Sequence, residues 1–379
     1  MSQIKVNAVT DASGGNTATI NSMTPTADSL QGFRNRLING NMMIDQRNAG
    51  ASVTPTTDAT YTLDRWCIRL TQASKVSVQQ NAGSVASLAT TGFNNYLGVT
   101  STSSFSASST DIFTLAQHIE GNNVQDLRWG TASAKSVTLS FWIYSSKTGT
   151  FGGSVFNNAA NRSYPFTFTI SAANTWEYET VTIPGDTSGS WTQTTGVGIY
   201  LNFDLGSGTS RVGTAGAWAG ATYWGASGCQ SIVATSGATF YITGVQLEVG
   251  SVATPFERRD YGRELILCKR YFQMLAKGNN QGFGNGGFYY TSSQIIMQLF
   301  MPVEMRGTPT LFQGTGTDYF AIERAGASDG FNGFDGLGSN ANTRCIAAFN
   351  NTNVSGTAGV MGQLQLNNAS AYVGLSAEL

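Results

Sequence analysis

The chain holds a single histidine, His118, set in FTLAQHIEG beside Gln117 and Glu120. An imidazole acts as a general base only with a nucleophile or a positioned water in hydrogen-bond reach, and no serine or cysteine motif accompanies this one. On a strand-like run it is expected to be a satisfied structural histidine. Cys67, Cys229, Cys268 and Cys345 show no paired spacing. With one histidine they leave too few soft ligands for a zinc site, so reduced structural thiols and no metal are expected. No Gly-Lys-Ser phosphate loop, dinucleotide fingerprint, nucleophile elbow or His-Glu-x-x-His pair occurs, and no cofactor is expected. The glycine-rich run around Gly282 to Gly287 lies between β-type segments, which makes it a loop and not a phosphate cradle. Sugar hydrolysis would need two facing carboxylates about 5 to 9.5 Å apart. The C-terminal region offers Glu304, Asp318, Glu323, Asp329, Asp335 and Glu378, with no spacing that sets two on one surface. The chain is therefore expected not to be an enzyme, with glycan hydrolysis kept as an alternative.

Aromatic rings are the better lead. Tryptophan and tyrosine faces stack on sugar rings, while Asn, Gln, Ser and Thr supply neutral hydrogen bonds to hydroxyls. Trp66, Trp142 and Trp176 lie in strand-like contexts and are expected to pack in the core or on a sheet surface. Trp218 and Trp224, in the loop-like GTAGAWAGATYWGASG, are candidates for glycan contact. So are Phe288, Tyr289, Tyr290, Tyr319, Phe331 and Phe334, with Phe320, which neighbour glycines and polar loops in the last hundred residues.

These residues must be positioned by β structure. Residues 33–257 carry short β-prone runs separated by Gly, Asn, Ser and Thr clusters; in SVTLSFWIYSS, Val137, Leu139, Phe141 and Ile143 share one face. Many short strands without helical crossovers predict an all-β fold, a jelly-roll β-sandwich. A short coiled-coil-like helix is predicted over 258–277, in RRDYGRELILCKRYFQMLAK. There Tyr261, Leu265, Cys268, Phe272 and Leu275 step by four and three, and Leu267, Tyr271 and Met274 widen the stripe. Two heptads cannot hold a coiled coil alone, so a trimer seam and an amphipathic helix packed on its own sandwich are both open. Residues 278–379 suffice for a small C-terminal β domain. Residues 1–32 form an arm with no sustained apolar period, either an unordered terminus or a segment that orders on docking to a partner.

Only 11% of the 379 residues are charged, against roughly a quarter in ordinary proteins. The net charge is −1, which provides no basic field for nucleic acid or anionic lipid. With no charged leader and no apolar stretch of about 18 residues, membrane insertion is not expected.

Several segments in order resemble the tail-fibre and tail-associated proteins of cyanophages and other marine phages, whose jelly roll is similar to carbohydrate-binding modules. They are RLINGNMMIDQRNAG at 36–50, YTLDRWCI at 61–68, VTLSFWIYSSKTGTF at 137–151, WEYETVTIPGDTSGSW at 176–191 and ITGVQLEVGSVATPFERRDYGRELILCKRYFQ at 242–273. MPVEMRGTPT at 301–310 and the terminal SAEL extend the match. The resemblance implies a fibrous homotrimer in the virion tail, assembled in the host cytoplasm. Its arm over 1–32 would dock on a phage tail protein, and its 278–379 domain would receive bacterial surface polysaccharide. A glycan depolymerase and a structural tail adaptor without host contact are the rival expectations. A threefold bundle would combine stiffness with avidity.

Overall fold

A computed structural model describes residues 33–379 apart from 84 and 86; the arm expected over 1–32 lies outside the described residues. The fold is all-β. Thirteen strands build the first unit: β1 (Thr60–Leu63), β2 (Trp66–Leu70), β3 (Val76–Gln80), β4 (Leu97–Ser101), β5 (Phe113–Glu120), β6 (Val137–Ser145), β7 (Gly149–Phe156), β8 (Ser163–Ile170), β9 (Glu177–Ile183), β10 (Val197–Asp204), β11 (Val212–Gly213), β12 (Gly225–Ala226) and β13 (Thr239–Val249). A six-stranded sheet, ordered β1-β2-β5-β10-β7-β8, packs on a five-stranded sheet ordered β3-β4-β13-β6-β9. All neighbours in both sheets are antiparallel, the arrangement of a jelly-roll sandwich. Period-two alternation builds the core between them, where Val137, Leu139, Phe141 and Ile143 of β6 are fully buried with Leu115, Leu201, Phe203 and Phe240.

The segment at 36–50 is a clamp. Gln117 on β5 holds Ile38 with both ends of its amide, accepting from the Ile38 N–H and donating to the Ile38 carbonyl, each at 2.9 Å. The Asn39 side chain accepts from Ile44 N and donates to the carbonyls of Ile44 and Asp64. Gly40 must lack a side chain, because a Cβ there would sit 2.1 Å from the Val245 carbonyl oxygen.

The helix expected over 258–277 is corrected. The helix α1 spans only Tyr261–Lys269, capped by the Asp260 carboxylate on Arg263 N, and the chain then becomes strand β14 (Phe272–Lys277). Nine residues make a marginal helix, and pairing with a strand a hundred residues later takes Phe272 instead. The seam does not form: Phe272 and Leu275 lie on the strand, Cys268 and Phe272 are wholly buried within their own chain, and Tyr261 is 59% exposed. Leu265 and Leu267 pack with Ile38, Ile44, Cys268 and Tyr271.

The distal unit follows with β15 (Gln281–Gly282), β16 (Gly287–Thr291), β17 (Gln294–Phe300), β18 (Thr310–Gly314), β19 (Phe320–Arg324), β20 (Ala327–Phe331), β21 (Gly336–Leu337), β22 (Cys345–Asn350), β23 (Met361–Leu366) and β24 (Tyr372–Ser376). A small sheet, β14-β24-β18, shares one core with an eight-stranded sheet running β20-β19-β23-β16-β17-β22-β21, with β15 on β23.

A buried ionic junction joins the two units. Glu378 accepts from Arg65 and, at 3.0 Å, from Arg47, whose side chains are 1% and 4% exposed. The Arg47 guanidinium also lies 3.6 Å over the Phe272 ring, and that of Arg65 3.6 Å over the Tyr271 ring. Glu120 takes two hydrogen bonds from Arg270 and one from the Tyr271 hydroxyl at 2.6 Å. Among the described residues no helix is long and apolar enough to cross a membrane, which says nothing of a β-barrel.

Candidate functional site

The outer face of the five-stranded sheet carries a concentration of aromatic rings. Alternation that buries Phe141 and Ile143 turns Ser140, Trp142 and Tyr144 outward. Trp142 pairs in register with Tyr178 on β9 and Thr243 on β13, and Tyr144 with Tyr241. Tyr144 and Tyr241 stack at 5.6 Å with planes 6° apart, and Tyr96 and Trp176 lie against them at 5.4 to 5.6 Å. These four rings are buried, packed with Ala82, and Trp142 leans on them. Gly98 makes the room, since a Cβ there would be 2.9 Å from the Tyr241 ring.

Beside this floor lies a cavity of about 330 Å³. Trp142 and Tyr178 line it with rings 5.4 Å apart, and Tyr178 is 45% exposed. Phe93 and Phe256 also line it, packed edge to face at 5.0 Å, and Arg258 holds its guanidinium 4.8 Å over the Phe93 ring. The seat for Phe93 comes from a bulge in β13 between Thr243 and Gln246. Gly244 there has φ +60°, a backbone that disfavours side chains, and a Cβ would meet the Phe93 ring at 2.5 Å. Among the described residues Trp142 Nε1 and Tyr178 Oη make no hydrogen bond within the protein, which leaves both donors for a ligand. Open ring faces, a serine and free donors in one concavity are the chemistry that holds a neutral polyhydroxylated ring.

The residues singled out from sequence fall elsewhere. Trp218 packs edge-on against Trp129 and Trp191 at 5.3 and 5.6 Å, and its indole donates to the Pro184 carbonyl at 2.8 Å. The cavity beside those rings is about 10 Å³, room for no more than a water. Trp224 is 9% exposed, edge-on to Phe156 with Arg69 above it, so it is a packing residue rather than a loop platform. Tyr289, Phe331 and Phe334 are corrected from exposed contacts to core. Phe331 and Phe334 pack with Phe320 at 5.4 to 5.7 Å, and Tyr289 donates to Asp329 beneath the Arg324 guanidinium. Tyr319 is half-buried on that core. Phe288 is half-buried and Tyr290 is 62% exposed, both on the sheet's outer face. A second cleft of about 540 Å³ between β18 and β21 includes Gln313, Phe334 and Asp335 but presents no tryptophan or tyrosine.

His118 is 3% exposed, between the Tyr61 and Tyr200 rings, with Nδ1 2.9 Å from the Leu379 carbonyl oxygen. Burial pushes it down to about 3, so it is neutral in ordinary conditions. Five of the six carboxylates weighed for hydrolysis hold separate partners. Glu304 pairs with Arg344, Asp329 with Tyr289 and Arg324, Asp335 with Asn351 and Thr352, Glu323 with Ser328 and Gln365, and Glu378 with the two buried arginines. All four cysteines are free thiols, and no group of three or more metal-ligating side chains occurs among the described residues.

No family model matches the sequence, and no curated protein matches it. Several solved structures are similar at low identity. The enzymatically active domain of tailspike protein 4 from bacteriophage CBA120 is 12% identical with TM-score 0.30, covering 57% of this chain and only 21% of that one. A family 11 carbohydrate-binding module from Clostridium thermocellum is 13% identical with TM-score 0.24, covering 54% of this chain and 97% of that one. The tandem CBM22 domain of Paenibacillus barcinonensis Xyn10C is 11% identical with TM-score 0.26, covering 88% and 99%.

Proposed function

We propose that this chain is a phage tail-fibre subunit that attaches the virion to a bacterial cell by binding surface lipopolysaccharide or polysaccharide without cleaving it. The observation that carries the glycan part is the groove of Trp142, Tyr178, Phe93 and Phe256 on the outer face of the five-stranded sheet. It supports a contact on the sandwich rather than on the distal unit. The order of sequence segments resembling marine-phage fibres supports the virion part, with residues 1–32 docking on the tail.

Homotrimer formation belongs to the same proposal, but α1 is too short to drive it. A different surface favours it. Met361, Phe288, Ile296 and Phe349 are register neighbours across β23, β16, β17 and β22, and Phe300 lies on the same outer face. Met361 is 70% and Phe300 69% exposed, and the row bears no charge, so apposed copies meet without like-charge repulsion.

The test is adsorption. Purified protein is expected to bind susceptible cells, block infection and bind extracted envelope polysaccharide without releasing new reducing ends. Sustained release of reducing ends would favour a depolymerase, and failure to adsorb or block would favour a tail adaptor.

A further inference from the structure

We infer that the groove selects saccharides bearing an anionic substituent, and that Arg258 is the residue that reads it; the inference rests on the glycan role proposed above. Arg258 is the one charged residue among those lining the cavity. In a chain with 11% charged residues, a cation placed there is a specific feature. Its guanidinium is held in two ways: over the Phe93 ring at 4.8 Å, and by one donor given to the Gly92 carbonyl at 2.6 Å. A guanidinium has five donors in a planar fork, so most remain free.

The acidic groups nearby in sequence are engaged elsewhere. Glu257 accepts from Phe33 N and Asn35 N and pairs with Arg259. Glu248 accepts from Gln246 and twice from Thr254, and Asp260 caps α1. Among the described residues Arg258 has no ion-pair partner. A pinned, unpaired fork beside two open aromatic faces fits a carboxylate or sulfate on a sugar whose ring stacks alongside.

The test uses matched pairs. The full chain is titrated against polygalacturonate and its methyl ester, against carrageenan and desulfated carrageenan, and against host envelope polysaccharide before and after carboxyl reduction. Binding is expected to weaken about tenfold or more when the anion is removed, and the pair with the larger loss identifies carboxylate or sulfate. Arg258→Gln is expected to abolish the difference within each pair, and Arg258→Lys to restore part of it. A thermal melt of each variant separates loss of recognition from loss of fold. Equal affinity within every pair, or an Arg258→Gln variant that keeps the preference, would overturn this inference alone. Absence of binding to every polysaccharide would overturn the glycan role and the inference together.

Discussion

Tyr178→Ala is the sharpest test of the groove. The side chain is 45% exposed on an edge strand, and its main contact is the Trp142 ring at 5.4 Å. An aromatic side chain has roughly 200 Å² of surface, so on the order of 90 Å² of Tyr178 is open to a ligand. At ~25 cal/mol per Å², covering all of it stabilises a complex by about 2 kcal/mol, and covering half by about 1 kcal/mol. That corresponds to about fivefold to thirtyfold in Kd. The substitution should cost the fold no more than about 1 kcal/mol, because a single ring contact and no fully buried volume is removed. Isothermal titration with envelope polysaccharide, beside urea unfolding of the same preparation, reads both quantities. An unchanged Kd in a folded variant, with Trp142→Ala equally without effect, would refute the argument that these rings form the contact surface.

Glu378→Ala should destabilise the chain by about 3 to 5 kcal/mol, since it leaves the Arg47 and Arg65 guanidinia buried without their shared carboxylate; a urea midpoint unchanged at equal slope would contradict this. Burial pushes the Asp64 carboxyl up to about 6 from its usual value near 4. The folded chain then holds that proton more firmly than the unfolded chain, so this group's contribution to stability is present below about 4 and declines as pH rises to about 6. Asp64→Asn should remove that decline, and parallel stability curves for the two proteins between pH 4 and 7 would disprove it. Phe300→Glu with Met361→Glu should lower the oligomer mass in light scattering toward the 40.1 kDa monomer, whereas Tyr261→Asp with Ile266→Asp should not. The reverse result would return the assembly to α1.

The sandwich was legible because period two is local: Val137, Leu139, Phe141 and Ile143 name their own buried face. The same alternation exposes Trp142 and Tyr144 on the opposite face. It cannot say that Tyr144 is covered while Trp142 and Tyr178 stay open, since that depends on Ala82, Phe93 and Phe256 arriving from distant loops. WEYETVTI carried the available signal, with Trp176 and Tyr178 two apart on one face. The helix was overextended because steps of four and three persist through Phe272 and Leu275, and nothing local reveals that Ser376 pairs with Phe272. Tyr289, Phe331 and Phe334 misled for a related reason. Their glycine neighbours look like loops, yet short strands carry Tyr289 and Phe331 into the core of a small domain, and the connection after β20 carries Phe334 there too.

The ionic junction has a mechanical meaning for any protein pulled from its far end. The chain leaves the sandwich at Tyr271 and Phe272 and returns to it at Ala377 to Leu379, and the outgoing and returning strands are hydrogen-bonded side by side, Phe272 opposite Ser376. Traction on the distal unit is thus divided between two anchorages, Glu120 gripping Arg270 and Tyr271 just before the outgoing strand and Arg47 with Arg65 gripping Glu378 just after the returning one. Each lead therefore has its own side-chain hold on the sandwich.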